Sequence, residues 1–201
     1  MVNFKKDIQD YYQREEKVIE GLDIDELNAA MNALLSAYEE DANVYVFGNG
    51  GSSATASHMM VDFNKGVCSD VKKRFRFVCL NDNIPTLMAI GNDVGFENVF
   101  YYQLENKLTP NDVVLAISGS GNSKNVIKAV DYAKKQGCKI IGMTGYDGGA
   151  LAKMSDYKLH APIDDMQITE DIHMSFDHMM MQIFWRYLLS KENKKAVYTK
   201  H

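Results

Sequence analysis

The sequence predicts an α/β fold in which a five-stranded parallel sheet is flanked by helices. Short apolar runs alternate with stretches of helical periodicity from residue 44 onward, and this alternation is typical of a parallel sheet with helices on both faces. The runs are almost continuously apolar, as expected of strands that are buried on both sides. The strand candidates are residues 44–48, 75–80, 112–118, 138–144 and 157–161.

A helical segment is expected to precede the sheet. Residues 3–42 have helical periodicity, and Gly21 separates two helices within them. We therefore assign residues 1–42 to an N-terminal helical extension of the same domain and residues 43–201 to the α/β core. A chain of 201 residues is of ordinary size for a single domain.

Helices are also expected between the strands. They cover residues 53–66, 85–91, 96–106, 123–137 and 149–154, and a long last helix runs from about residue 168 to 189. In sheets of this kind, ligands bind beyond the carboxyl ends of the strands. Two glycine-rich segments occupy that position, GNGGSS at 48–53 and SGSGNS at 118–123.

The composition argues against several classes of protein. A net charge of −5 disfavours nucleic-acid binding. No apolar stretch approaches the roughly 18–20 residues that span a bilayer, and the charged N-terminus lacks the apolar region of a secretory signal. The three cysteines are far apart and odd in number, which suits reduced thiols. We expect a cytoplasmic protein that binds neither nucleic acid nor a membrane.

The SGSGNS segment has the features of a phosphate-binding loop. Three hydroxyls, those of Ser118, Ser120 and Ser123, lie between a predicted strand and a predicted helix. A helix N-terminus presents free backbone N–H groups, and glycines let such groups approach an anion closely. The alternative is a serine N-cap with a flexible turn. Neither loop fits the GxxxxGK[ST] pattern of nucleotide triphosphatases or the GxGxxG pattern of dinucleotide sites.

Two predicted helices each carry a histidine and a carboxylate. His58 and Asp62 are four residues apart, which places them on one helix face. Glu170 and His178 are eight residues apart and share a broad face of the last helix. The four side chains can converge into a metal site or an acid–base set. The alternative for either pair alone is a structural role, as a hydrogen-bonded core histidine or a carboxylate in a cap or ion pair.

Four longer stretches contain these features: VYVFGNGGSSATASHMMVDF, AIGNDVGFENVF, AISGSGNSKNVIKAV and TEDIHMSFDHMM. They resemble the sugar isomerase (SIS) domain, and specifically the phosphoheptose isomerases, and the resemblance covers nearly the whole chain. It implies a single SIS domain with a flavodoxin-like sheet. It also implies a phosphate site at Ser118, Gly119, Ser120 and Ser123, and contacts to the sugar from Asn49, Gly50, Gly51, Asn92 and Asp93.

The resemblance further implies a zinc site and an acid–base set. We expect one divalent ion per site, zinc, held by His58, Asp62, Glu170 and His178. Phosphoheptose isomerases usually have glutamate, the base, where Asp62 stands and glutamine where Glu170 stands. Asp62 is shorter by one C–C bond of about 1.5 Å, and Glu170 adds a charge that strengthens a divalent metal site. Either carboxylate is the candidate base, with His178 as its acid–base partner.

The implied reaction converts sedoheptulose 7-phosphate to D-glycero-D-manno-heptose 7-phosphate for surface polysaccharide precursors. One alternative is an isomerase of another phosphosugar, and a second is a non-catalytic phosphosugar sensor or protein-binding regulator. His58 and His178 favour catalysis because a sensor needs only the phosphate loop, whereas Asp62 and Glu170 favour a sensor or another sugar. The resemblance also implies a homotetramer with active sites at the subunit interfaces, and it leaves open which subunit supplies each residue.

Overall fold

A parallel sheet of five strands forms the centre of the structure, a computed structural model that describes residues 1–194. The strands are β1 (Val44–Gly48), β2 (Phe77–Cys79), β3 (Val113–Ser118), β4 (Lys139–Thr144) and β5 (Tyr157–His160). They lie in the order β2-β1-β3-β4-β5, and every neighbouring pair is parallel. This is the strand order of flavodoxin-like folds, and it confirms the predicted fold class.

Helices surround the sheet on both faces. In the described part of the chain there are eight: α1 (Lys5–Glu20), α2 (Ile24–Glu39), α3 (Gly51–Val61), α4 (Ile84–Asp93), α5 (Tyr101–Leu104), α6 (Lys124–Lys135), α7 (Gly149–Met154) and α8 (Met166–Lys191). None of these eight is long and apolar enough to cross a membrane.

The sheet separates two hydrophobic cores, and the strand side chains alternate between them. In β1, Val44 and Val46 belong to the core under α1, α2, α3 and α8, whereas Tyr45 and Phe47 belong to the core under α4 to α7. All residues of β1 and β3 are buried. Two buried faces explain why these strands are apolar at every position and not only at alternate ones.

The N-terminal helices pack against the rest of the chain. Asp23 caps α2, because its side chain accepts hydrogen bonds from two backbone N–H groups of the first turn. The Tyr11 hydroxyl donates to Asp171, and Arg14 Nη1 lies 2.6 Å from Asp165 Oδ2, so α1 is tied to α8. The first strand, β1, begins at Val44. The division of the domain after residue 42 stays a prediction. Residues 195–201 of the assigned core lie outside the described chain.

Two predicted helices are less regular in the structure than in the sequence pattern. Residues 96–106 form a short 3-10 turn followed by α5. Residues 53–66 begin within α3 but continue as a π-helix, Asp62–Val67. The Asn64 side chain donates to the Phe77 carbonyl and accepts from the Phe77 N–H, at 2.8 and 2.9 Å, so the π-helix is anchored to the edge strand β2. Such π-turns within helices are frequent at functional sites.

Candidate functional site

The two glycine-rich loops lie side by side at the carboxyl edge of the sheet. β1 ends at Gly48 and β3 at Ser118, and Gly48 is paired with Ile117 across the neighbouring strands. The loops lead into the N-termini of α3 and α6. Two helix N-termini therefore point at the same edge, where the positive ends of their dipoles favour an anion.

Gly121 shows why the second loop needs glycine. Its φ is +65°, in the left-handed region, and a Cβ there would overlap the backbone carbonyl of Gly148. The Gly121 carbonyl accepts a hydrogen bond from the Leu151 N–H at 2.9 Å. The loop is thus held tightly against the start of α7, and its shape is set by close backbone packing.

A cavity of about 280 Å³ lies between the loops, and we call it the loop cavity. Its lining residues are Asn49, Gly50, Gly51, Ser52, Ile117, Ser118, Gly119, Ser120, Ser123, Met166 and Glu170. The hydroxyls of Ser118 and Ser123 are 3.1 Å apart, and Ser123 does not cap α6 with its side chain in the described chain. The first N–H groups of α6 and three serine hydroxyls are therefore available to an anion such as phosphate.

Glu170 extends from α8 into the loop cavity. Its carboxylate lies against the backbone of Gly51, where any larger side chain would overlap it. Gly51 is the first residue of α3, and a carboxylate at a helix N-terminus is stabilised by the helix dipole. Glu170 therefore lies next to the serines of the second loop.

The predicted sugar-binding residues divide into two groups. Asn49 lines the loop cavity with Gly50 and Gly51, and its side-chain amide exchanges two hydrogen bonds, of 2.8 and 2.9 Å, with buried Asn125. The sequence analysis had not singled out Asn125, which holds the first loop against α6. Asn92 and Asp93 are exposed at the end of α4, outside the residues that line the cavity.

Three of the four predicted metal ligands lie together. His58 Nε2 is 3.1 Å from His178 Nε2 and 3.6 Å from Asp62 Oδ2. Asp177 is the fourth group: its Oδ2 lies 3.9 Å from His58 Nε2. One nitrogen or oxygen atom from each of the four residues lies within 4.8 Å of the others. We call this set the histidine–carboxylate cluster.

Asp177 was not predicted as a site residue. Its side chain is fully buried, and neither carboxylate oxygen has a hydrogen-bond partner among the described residues. Burial, with a smaller contribution from the charge of Asp62, raises the pKa of Asp177 to about 8. The signal in the sequence was a carboxylate directly before His178 on a helix whose neighbouring positions are apolar.

The structure does not bring Glu170 to the histidine–carboxylate cluster. Within the described chain its carboxylate lies in the loop cavity, two turns of α8 away from His178. The reason is helical geometry: eight residues at about 1.5 Å of rise separate the two positions by about 12 Å. The role of Glu170 as a metal ligand therefore stays a prediction.

The histidine–carboxylate cluster has the donor types that a divalent transition metal prefers. Two imidazole nitrogens and two carboxylate oxygens form a suitable set for zinc. The fully buried carboxyl group of Asp177 without a hydrogen-bond partner supports this fit, because such a group is costly to bury and a bound cation would stabilise its ionised form. The side chains of His58 and Asp62 are 42% and 21% exposed, so the cluster is open to a ligand from one side.

His173 lies on the same helix but has a different environment. It is fully buried beside Phe176, and desolvation lowers its pKa to about 4. The imidazole is therefore neutral at pH 7. It is not one of the four residues of the cluster, and its burial supports a structural role.

The chain is similar to known proteins over most of its length. A sequence profile described as "SIS domain" matches residues 9–145. Phosphoheptose isomerase from Helicobacter pylori (strain ATCC 700392 / 26695) is 34% identical over 187 residues, which cover 93% of this chain and 96% of that protein.

Solved structures agree with the sequence relatives. The structure of phosphoheptose isomerase GmhA from Neisseria gonorrhoeae superimposes with a TM-score of 0.82 at 28% identity, covering 90% of this chain and 98% of that one. A phosphoheptose isomerase from Francisella tularensis has a TM-score of 0.81 at 28% identity, covering 92% and 98%. The similarity thus includes the helical extension as well as the sheet.

Proposed function

This chain belongs to the SIS-domain phosphoheptose isomerases, and we propose that it interconverts sedoheptulose 7-phosphate and D-glycero-D-manno-heptose 7-phosphate. The observation that carries the proposal is the pairing of the loop cavity with a histidine-bearing cluster on the same two helices, α3 and α8. A phosphosugar sensor would need only the cavity. In this reading the product is a precursor of surface polysaccharides.

The loop cavity binds the phosphate of the substrate. Ser118, Ser120 and Ser123 donate hydroxyl hydrogen bonds, Gly119 lets the backbone approach, and the N-terminus of α6 adds its N–H groups. Asn49, Gly50 and Gly51 lie on the opposite side of the cavity and contact the sugar chain. Asn92 and Asp93 meet the sugar only where the site is completed by another subunit.

The distance between the two parts of the site suits a long, open-chain substrate. Glu170 lines the loop cavity and His178 belongs to the cluster, about 12 Å apart along α8. A seven-carbon chain with C–C bonds of about 1.5 Å covers most of this length. The reacting carbons then lie near the cluster when the phosphate is held at the serines.

The isomerisation moves one proton between adjacent carbons and another between their oxygens. A carboxylate, Asp62 or Glu170, takes the proton from carbon and returns it to the neighbouring carbon. His178 transfers the proton between the two oxygens, and His58, 3.1 Å away, orients its ring. Asp62 is the base if the reacting carbons lie at the cluster, and Glu170 is the base if they lie in the loop cavity.

A divalent ion completes this site in our proposal, with zinc as the preferred metal. His58, Asp62 and His178 would hold it, and the family resemblance alone implies Glu170 as a fourth ligand. When bound, such an ion would polarise the carbonyl and hydroxyl oxygens of the sugar and so acidify the C–H bond of the carbon next to the carbonyl. Elemental analysis of the purified protein, and turnover before and after chelation, test this part of the proposal.

We also propose a homotetramer with active sites at subunit interfaces. An apolar groove of about 710 Å³ runs between α2 and α8, lined among others by Met31, Leu35, Met179 and Ile183. Apolar grooves of this kind are disfavoured on the surface of a monomer. Light scattering should report a tetramer, and a stable monomer at micromolar concentration would contradict it.

The three cysteines are free and buried, which favours a cytoplasmic location.

The test of the activity is direct turnover. Purified protein is incubated with sedoheptulose 7-phosphate, and the formation of the aldoheptose phosphate is followed by NMR. Other C5–C7 phosphosugars in parallel reactions identify the preferred substrate. Binding of phosphosugars without turnover of any of them, with or without added zinc, would replace the isomerase by a sensor.

A further inference from the structure

We propose that Asp177 is a ligand of the divalent ion at the histidine–carboxylate cluster and takes the position that the family resemblance implies for Glu170. This inference rests on the proposed function, and specifically on the binding of a divalent ion by His58, Asp62 and His178. It assigns to this chain a ligand set of two histidines and two aspartates.

The environment of Asp177 is the first argument. The side chain is fully buried in the interior side of α8, and both carboxylate oxygens lack a hydrogen-bond partner among residues 1–194. Buried carboxylates in proteins are almost always hydrogen-bonded, paired with a cation or bound to a metal. The histidines next to Asp177 are the nearest groups that could compensate its charge, and they are metal-binding side chains themselves.

The spacing of the donor atoms is the second argument. Ligand atoms about 2.0–2.2 Å from a tetrahedral zinc lie about 3.3–3.6 Å from one another. The distances from His58 Nε2 to His178 Nε2, Asp62 Oδ2 and Asp177 Oδ2 are 3.1, 3.6 and 3.9 Å. These three distances are close to the edge of such a tetrahedron, and all four atoms lie within 4.8 Å of one another, so their spacing suits a single shared ion.

The position of Glu170 is the third argument. Its carboxylate is already placed at the N-terminus of α3, against Gly51 in the loop cavity. Moving it to His178 would require it to cross about two turns of its own helix. With Asp177 as the ligand, Glu170 stays free to contact the substrate, and two carboxylates still neutralise the charge of a divalent ion.

The experiment compares three variants of the full-length protein, Asp177→Asn, Asp177→Leu and Glu170→Gln. Glu170→Gln is the matched control, since it also removes one negative charge from α8 but at the loop cavity. Zinc affinity is measured by competition with a chromophoric chelator, and the Co²⁺-substituted proteins are compared by visible absorption. Thermal unfolding with and without zinc gives a second measure of affinity, because a metal stabilises the folded state in proportion to its binding.

We expect Asp177→Asn and Asp177→Leu to lower zinc affinity at least about 100-fold, since even residues that only orient ligands change it by about 10–100-fold. The tetrahedral Co²⁺ spectrum should be lost with them. Glu170→Gln should keep the spectrum and bind zinc within about threefold of wild type. Asp177→Leu is expected to fold, because an apolar side chain replaces a buried carboxylate that lacks a hydrogen bond.

Three results would overturn the inference. If both Asp177 variants bind zinc like wild type, the metal site stands without Asp177. If Glu170→Gln loses zinc affinity and the Asp177 variants do not, Glu170 is the ligand. If the wild-type protein turns over sedoheptulose 7-phosphate but binds no zinc at all, the metal is removed from the site while the isomerase proposal survives.

Discussion

The loop cavity and the histidine–carboxylate cluster are built in different ways. The cavity is formed largely by backbone, from two short segments that follow neighbouring parallel strands. The cluster is formed by side chains from two helices, and His58 and His178 are 120 positions apart. Anion binding therefore depends on loop shape and helix N-termini, whereas proton transfer depends on how α3 and α8 pack. Binding and catalysis should consequently respond to different mutations.

The largest expected effect is the loss of catalysis at the cluster. His178→Ala removes the acid–base group and should lower kcat by a factor on the order of 10²–10⁴. Binding of the phosphosugar should persist because the serine loop is untouched. Kinetics and calorimetric titration of the same preparation measure the two quantities. A variant that loses binding to the same extent as kcat would show that the two parts of the site are not separable.

The converse variant acts on the loop. Ser120→Ala combined with Ser123→Ala removes two hydroxyl donors to the phosphate, each of which contributes about 1.5–3 kcal/mol when its acceptor is charged. We expect affinity for the phosphosugar to fall at least about 100-fold, with thermal stability near that of wild type. Ser190→Ala is a control, since Ser190 is exposed on α8 and its hydroxyl donates to the Tyr187 carbonyl, far from the loop in sequence and on the last turns of the helix. Unchanged affinity in the double variant would remove this loop from the site.

The free energy of unfolding should fall at acid pH because of the buried His173. Burial lowers the pKa of His173 to about 4 in the folded protein, from its ordinary value of 6.5. The unfolded chain therefore binds more protons between these values, and the stabilisation present above pH 6.5 is lost as the pH falls towards 4. The loss amounts to about 3 kcal/mol. Denaturant unfolding of wild type and His173→Phe between pH 4 and 7.5 should show a smaller pH dependence for the variant. Equal dependence would assign the acid sensitivity to other groups.

A smaller effect is expected where the loop meets the helix of the cluster. Gly51→Ala introduces a methyl group that overlaps the Glu170 carboxylate, which is the end of a flexible side chain and can move aside, so we expect a cost below the roughly 1–3 kcal/mol of overpacking in a rigid core. Glu170→Ala in the same chain should relieve most of this cost. A double-mutant cycle on the free energy of unfolding measures the coupling. Additive effects would mean that the two residues do not touch.

Much of the fold follows from the sequence pattern. The run at 44–48 is β1 and the segment at 149–154 is α7, as predicted. Apolar runs and the glycines that end them are local signals in the sequence. They are strong in this chain because the strands of the sheet are buried on both faces. The interrupted helix at 96–106 and the π-helix after Val61 were not predicted, because their geometry depends on contacts such as that of Asn64 with β2.

The sequence by itself determined the parallel sheet, the two glycine-rich loops at its carboxyl edge and the helices that carry the two histidines. These features depend on residue type and short-range spacing, which parallel sheets and helix periodicity convert directly into position. Only the tertiary structure decided which carboxylate joins those histidines. Glu170 and Asp177 lie on one helix, and the crossing of α3 over α8 places Asp177, not Glu170, against His58. Helix packing is set by many side chains at once, so no spacing within one segment of sequence reveals it.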